Sequence, residues 1–325
     1  MARAGPSPYT DRLMKNTSTR RAGKTTRVPG AAPSLQKAAQ VIEELRPGQS
    51  IELLKELHIL TREGKLNQDT RRKLKQVYHL YQFIEPLLNE VSATRPQPTL
   101  ADHGAGKSYL GFILYDLFYN VARQGKPASG HIYGIESRPE LVEKSRALAG
   151  RLGFERMSFL NLLVAQATTS GDLPPTIDIV TALHACDTAT DDAIAFGLAK
   201  HARHMVLVPC CQAEVAGVLR RNKALTVGKT PLAELWRHPL HAREFGSQIS
   251  NVLRCLQLEA NGYDVTVTEL VGWEHSMKNE LILASRPVKP NPVKTRAAQQ
   301  RLQALLQELG LGDLSVRFAA PSEAS

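Results

Sequence analysis

The chain has 325 residues, 42% of them hydrophobic and 22% charged, which is ordinary usage for a globular protein with a full core. No apolar run reaches the roughly 18 residues of a membrane span, so no membrane partner is expected. The net charge of +10 favours an anionic partner, with nucleic acid first among the candidates.

Residues 1–33 combine Gly, Pro, Ser and Thr with basic residues and show little periodicity, the pattern of a disordered tail. Within residues 1–30, Arg3, Arg12, Lys15, Arg20, Arg21, Lys24 and Arg27 face a single acid, Asp11, so this stretch supplies seven minus one, or +6, of the net charge. It lacks the apolar segment of a secretory signal. Its Arg-rich, acid-poor character also resembles an organelle transit peptide, but no amphipathic helical pattern accompanies it. The four cysteines are expected to be reduced thiols in a cytoplasmic protein.

Residues 34–93 read as a small helical subdomain. Leu45, Ile51, Leu54 and Leu57, and later Leu74, Val77, Leu80, Ile84 and Leu88, recur at helical spacing. Pro47-Gly48 breaks the pattern, and Ser50 suits the N-cap of the helix that follows. From about residue 94 to 288, strands and helices alternate. Strands are expected at 98–102, 131–136, 157–163, 177–183 and 205–208, with helices at 108–121, 140–152 and 190–200 between them. That order implies a doubly wound α/β sheet, Rossmann-like and parallel. A late, closely spaced pair at 264–271 and 280–284 suggests an antiparallel edge. Residues 289–325 read as a linker, a helix near 296–309 and a polar end.

The first strand runs into Asp102-His103-Gly104-Ala105-Gly106-Lys107-Ser108, which opens a helix. Glycines allow a tight turn and close approach of a ligand to the backbone. A relaxed phosphate-loop pattern also fits, with Lys107 on phosphates and Ser108 on Mg²⁺. Against it stands Asp102, an acid inside the loop that repels phosphate. Glu136, at the end of the second strand, suits ribose hydroxyls instead. A dinucleotide site would want a third glycine where Tyr109 stands. S-adenosylmethionine (SAM) has no pyrophosphate and does not need it, and Asp102 suits its positive charges.

Four segments strengthen that reading together: Asp102 to Gly111, His184-Ala185-Cys186-Asp187-Thr188-Ala189-Thr190-Asp191, Pro209-Cys210-Cys211, and Glu274-His275-Ser276-Met277-Lys278-Asn279. In this order they resemble a branch of the class I SAM-dependent methyltransferases, similar to a tRNA ribose methyltransferase family. The resemblance covers residues 98–284 and does not extend over residues 1–70. Asp187 stands where that family has Gly, and its accessory zinc fingers are missing, so its tRNA position does not carry over.

The resulting expectations are specific. SAM would be held by Asp102, Gly104, Gly106, Lys107 and Glu136, with Asn161 near the adenine and His184 beside the cofactor. His184 and Asp187, at the carboxyl end of the fourth strand, would act on the methyl acceptor as proton acceptors or shape its pocket. Glu274, His275, Lys278 and Asn279 would bind the acceptor, or form a plain hairpin connection. Cys186, Cys210 and Cys211 with His184 include zinc-type ligands. However, adjacent cysteines seldom share one tetrahedral ion and no Cys-x-x-Cys spacing occurs, so no metal is expected. Trp236, Arg237, His238, His241, Arg243, Phe245 and Gln248 read either as an RNA-contacting insertion or as a packed helix pair with a solvated face. RNA (tRNA or rRNA) is the expected substrate, with a protein or small-molecule acceptor, or a non-catalytic RNA-binding role, as the alternatives.

Overall fold

In the computed structural model of the protein, the residues described are 44–121, 130–183, 187–209, 213–221, 231–270 and 280–319. The expected tail at 1–33 lies outside them.

Two helices precede the sheet. α1 (Ile51–Glu56) is capped by Ser50, whose hydroxyl accepts the Leu53 amide at 3.1 Å, as the sequence suggested. α2 (Gln68–Thr94) starts at a reciprocal cap between Asn67 and Thr70 and runs on through Pro86. The sheet begins with β1 (Thr99–His103), α3 (Tyr109–Leu114) continuing as a π-helix over Tyr115–Val121, β2 (His131–Glu136), α4 (Pro139–Leu152) and β3 (Met157–Asn161). Then come α5 (Val164–Thr169), β4 (Ile179–Leu183), α6 (Ala189–Ala199), β5 (His204–Val208), α7 (Glu214–Arg221) and a 3₁₀ turn at Pro231–Trp236. The chain closes with α8 (Pro239–Ala260), β6 (Asp264–Glu269), β7 (Glu280–Ser285), α9 (Pro292–Glu308), a 3₁₀ turn at Gly312–Leu314 and α10 (Ser315–Phe318). α9 starts before the expected position because Asn291 caps it, its side chain accepting the Lys294 amide, and Pro292 needs no amide partner in the first turn.

The strand order is β3-β2-β1-β4-β5-β7-β6. β1 to β5 pair in parallel, and β7 lies antiparallel between β5 and β6. This is the doubly wound, Rossmann-like sheet that the alternation implied, with the late pair as its antiparallel edge. The order reverses between β1 and β4, so a crevice opens beyond the carboxyl ends of those strands.

Period-two alternation sorts the strand residues between two cores. Leu100, Ile132, Ile179, Val206 and Leu281 face one side, packed with α1 to α4. Ala101, Ile135, Val180, Leu207 and Ile282 face the other, with Phe196 of α6 and Leu258 of α8. A third cluster joins α7, α8, α9 and α10. There Gly246 lets two helices meet: a Cβ on it would lie 2.7 Å from the Ala216 backbone. The sequence reading did not resolve α5, α7 or the full length of α8.

Candidate functional site

The loop after β1 folds back on β2. The Ala105 amide donates to the Ile135 carbonyl at 3.0 Å, and the Ser108 amide to the Ala105 carbonyl at 2.6 Å. Gly104 and Gly106 adopt φ of +66° and +57°, and Ser108 follows at +53°. Side chains tolerate that region poorly, so glycine relieves about 1–2 kcal/mol at such a position. The Gly106 amide donates to Glu136 Oε2 at 2.7 Å, joining the loop to the acid at the end of β2.

Glu136 is buried, and its carboxylate is fully engaged. Oε1 accepts the Arg138 amide at 3.0 Å and Arg138 Nε at 2.9 Å; Oε2 accepts Arg138 Nη2 at 3.1 Å beside the Gly106 amide. Burial disfavours its charge, but the Arg138 hydrogen bonds and the Gly106 amide outweigh burial and hold the carboxyl at about 2. Arg138 was not singled out from sequence. The signal was available: a cation two residues beyond a strand-end acid can turn back on it.

Asp102 lies on β1, within the strand expected at 98–102, with its carboxylate buried against β4. Its Oδ1 accepts the Thr181 hydroxyl of that strand at 2.9 Å. Burial pushes its carboxyl up to about 7, against the opposing pull of Thr181 and the Gly111 amide. The next residue, His103, faces the second core, where its ring meets Phe196 at 5.6 Å. It is 3% exposed, and neither ring nitrogen has a hydrogen-bond partner among the described residues. Lys107 is exposed. Asn161, at the end of β3, is also exposed, and its side-chain amide donates to the Glu136 carbonyl at 3.0 Å, tying the two strand ends together.

Beyond β4, Asp187 stands at φ +52°. Its Oδ1 accepts the amides of Ala213 and Glu214 at 3.0 and 3.4 Å, so it caps α7, the helix after the neighbouring strand β5. Its carbonyl accepts Arg254 Nη2 at 2.9 Å. Arg254, on α8, is fully buried and grips both oxygens of Asp191 in the first turn of α6, at 2.8 and 2.9 Å. The sequence reading passed over Arg254, because nothing local distinguishes an arginine in a helix that will be buried. His184, Cys186, Cys210, Cys211, Glu274, His275, Lys278 and Asn279 lie outside the described residues. Among the described residues no cluster of three or more His, Cys, Asp or Glu side chains is arranged to hold a metal. None of the described helices is long and apolar enough to cross a membrane.

The aromatic and basic stretch before and within α8 divides. Trp236 and Phe245 pack edge to face at 5.5 Å against the third core. Arg237, His238, His241 and Arg243 are exposed, with Arg237 paired to Glu234 at 3.1 Å and His238 against His241 at 5.2 Å. The helical reading of this stretch therefore accounts for its aromatic residues.

Residues 72–218 match the family model of a methyltransferase domain, from within α2 to within α7. No curated protein matches the chain in sequence. Among solved structures, magnesium protoporphyrin IX methyltransferase from Synechocystis PCC 6803 with bound SAH is similar at 15% identity and TM-score 0.42, over 77% of this chain and 100% of that one. A putative O-methyltransferase from Klebsiella pneumoniae is similar at 14% identity and TM-score 0.45, over 78% and 99%. An rRNA methylase from Streptococcus thermophilus gives 8% identity and TM-score 0.38, over 63% and 94%. Residues 72–218 are thus similar to a methyltransferase domain, and they lie on a Rossmann-like sheet.

Proposed function

We propose that the protein is a SAM-dependent methyltransferase acting on RNA. The observation that carries the cofactor assignment is the bond from the Gly106 amide to the Glu136 carboxylate at 2.7 Å. It joins a two-glycine loop after β1 to an acid after β2, beside the switch point where α/β sheets bind ligands. The same bond argues against a phosphate loop, because the amide that would cradle phosphate already serves a carboxylate.

In this reading Gly104 and Gly106 admit the cofactor, Glu136 takes the ribose, and Lys107 and Asn161 border it. Asp102 lies beneath the loop, where a bound cation would favour its ionised form. The sequence assigns His184 and Asp187 to the methyl acceptor, and Glu274, His275, Lys278 and Asn279 to acceptor binding. SAM brings an electrophilic methyl, so the protein's task is to align the acceptor for in-line attack and exclude water. The +10 charge supports RNA as the substrate class.

Two measurements test the reading. Titration calorimetry with SAM and with ATP separates a methyltransferase from a nucleotide phosphotransferase. Transfer from labelled SAM to total cellular RNA, followed by nucleoside digestion, identifies the acceptor. SAM binding without label in any nucleoside would keep the cofactor and remove RNA.

A further inference from the structure

Building on the SAM assignment above, we propose that His103 is a cofactor-contacting residue whose imidazole hydrogen-bonds the amino-acid end of bound SAM. The first support is an unmet need. His103 is 3% exposed, and both ring nitrogens lack partners among the described residues. A buried polar group left in that state destabilises the fold, and native folds rarely keep one without a use. Phenylalanine or leucine would fill the same space against Phe196 without that cost.

The second support is position. His103 ends β1, directly before Gly104, and its ring leans on Phe196 of α6, the helix that follows β4. It therefore stands at the switch point between β1 and β4. Glu136, the ribose acid, ends β2 on the other flank of β1. With the ribose fixed there and the adenine near Asn161 of β3, as the proposed reading has it, adenosine extends toward β2 and β3. The sulfonium and amino-acid end then fall toward β1 and β4, where His103 waits.

The third support is charge. Burial drives the imidazole down to about 4, with the Glu136 charge pulling the other way, so the ring is neutral at pH 7. A neutral imidazole offers one donor and one acceptor, enough for an α-carboxylate or an α-ammonium. An imidazolium would repel the neighbouring sulfonium. The ring is covered and Glu136 is engaged by Arg138, so cofactor entry must uncover one and free the other.

Calorimetry on wild type, His103→Phe and His103→Gln with SAM, SAH and 5′-methylthioadenosine tests the proposal, since the last ligand lacks the amino-acid end. His103→Phe is expected to weaken SAM and SAH about tenfold. It should leave 5′-methylthioadenosine affinity unchanged and the thermal midpoint equal or higher, while His103→Gln recovers part of the loss. An equal loss for all three ligands, or an unchanged SAM affinity in a folded variant, would overturn it. Failure of both variants to fold would show a structural role and overturn it as well. Wild type that does not bind SAM removes the underlying assignment too; wild type that binds while the variants match it removes His103 alone.

Discussion

Glu136 and Asp102 are both buried carboxylates at strand ends, yet their surroundings push them in opposite directions. Glu136 receives two backbone amides and an arginine and stays ionised to about 2; Asp102 receives weaker help and rises to about 7. A carboxylate has about four acceptor positions, and those of Glu136 are filled, two of them by the Arg138 guanidinium at 2.9 and 3.1 Å. If Glu136 takes the ribose as proposed, the ribose hydroxyls need the places that Arg138 holds. Its side chain is 59% exposed while that of Glu136 is 7% exposed, so Arg138 is the partner that can move into solvent and yield. Arg138→Met should therefore tighten SAM binding by up to about fivefold; weaker binding in calorimetry would mean that the guanidinium stays and helps. For Asp102 the folded pKa lies above the ordinary 3.8. Its contribution to stability is therefore complete below about pH 4 and is lost as pH rises through about 7. Asp102→Asn cannot ionise, so its thermal midpoint should gain on wild type between pH 4 and 7 and hold a constant lead above that. A lead that does not change with pH would show that Asp102 ionises freely.

At the scale of elements, the crevice is assembled by partners distant in sequence. Asp187 caps α7 across 26 residues, and Arg254 reaches 63 residues back to Asp191. These contacts recast the fourth-strand acid. A carboxylate already accepting two helix amides serves first as a cap, and loss of a cap costs about 0.5–2 kcal/mol. Asp187→Ala should lower stability by that amount, while Asp187→Asn, which keeps an accepting oxygen, should stay near wild type in both stability and transfer rate. A folded Asp187→Asn variant with normal SAM affinity and a rate reduced by about 10²-fold or more would instead return the residue to proton transfer. The sheet itself was legible because strand alternation, the glycine pair and Glu136 are local signals, and the β6–β7 edge followed from close spacing. α7, α8 and the Arg254–Asp191 pair were not, because their apolar faces are completed by each other and by α9. Likewise, the acid type of Asp102 matches the loop motif. Its place at the end of the first strand was legible too; only the register that sets it opposite Thr181 was not.

At the scale of the whole molecule, charge is the property least shared with the fold. Residues 1–30 carry seven basic side chains and one acid, so +6 of the total +10 lies there and +4 in everything after. The described core starts later, with Leu45 among its first buried residues. Arg71, Arg203 and Arg301 each already hold an acid, Glu44, Glu90 and Glu259. If RNA is the substrate, binding should therefore lean on the amino-terminal stretch more than its share of the length suggests. Deleting residues 1–33 should leave SAM affinity and the thermal midpoint unchanged, since the cofactor loop and the cores lie beyond it. RNA affinity should fall, and the slope of log affinity against log salt should flatten by about 0.7 to 0.9 for each phosphate no longer neutralised by a basic side chain. The two effects separate cleanly in one salt series on full-length and truncated chains. Weaker binding with an unchanged slope would mean that the stretch contributes something other than phosphate neutralisation. An unchanged affinity and slope would assign RNA binding to exposed basic side chains of the body, Lys73 and Lys75 of α2 among them.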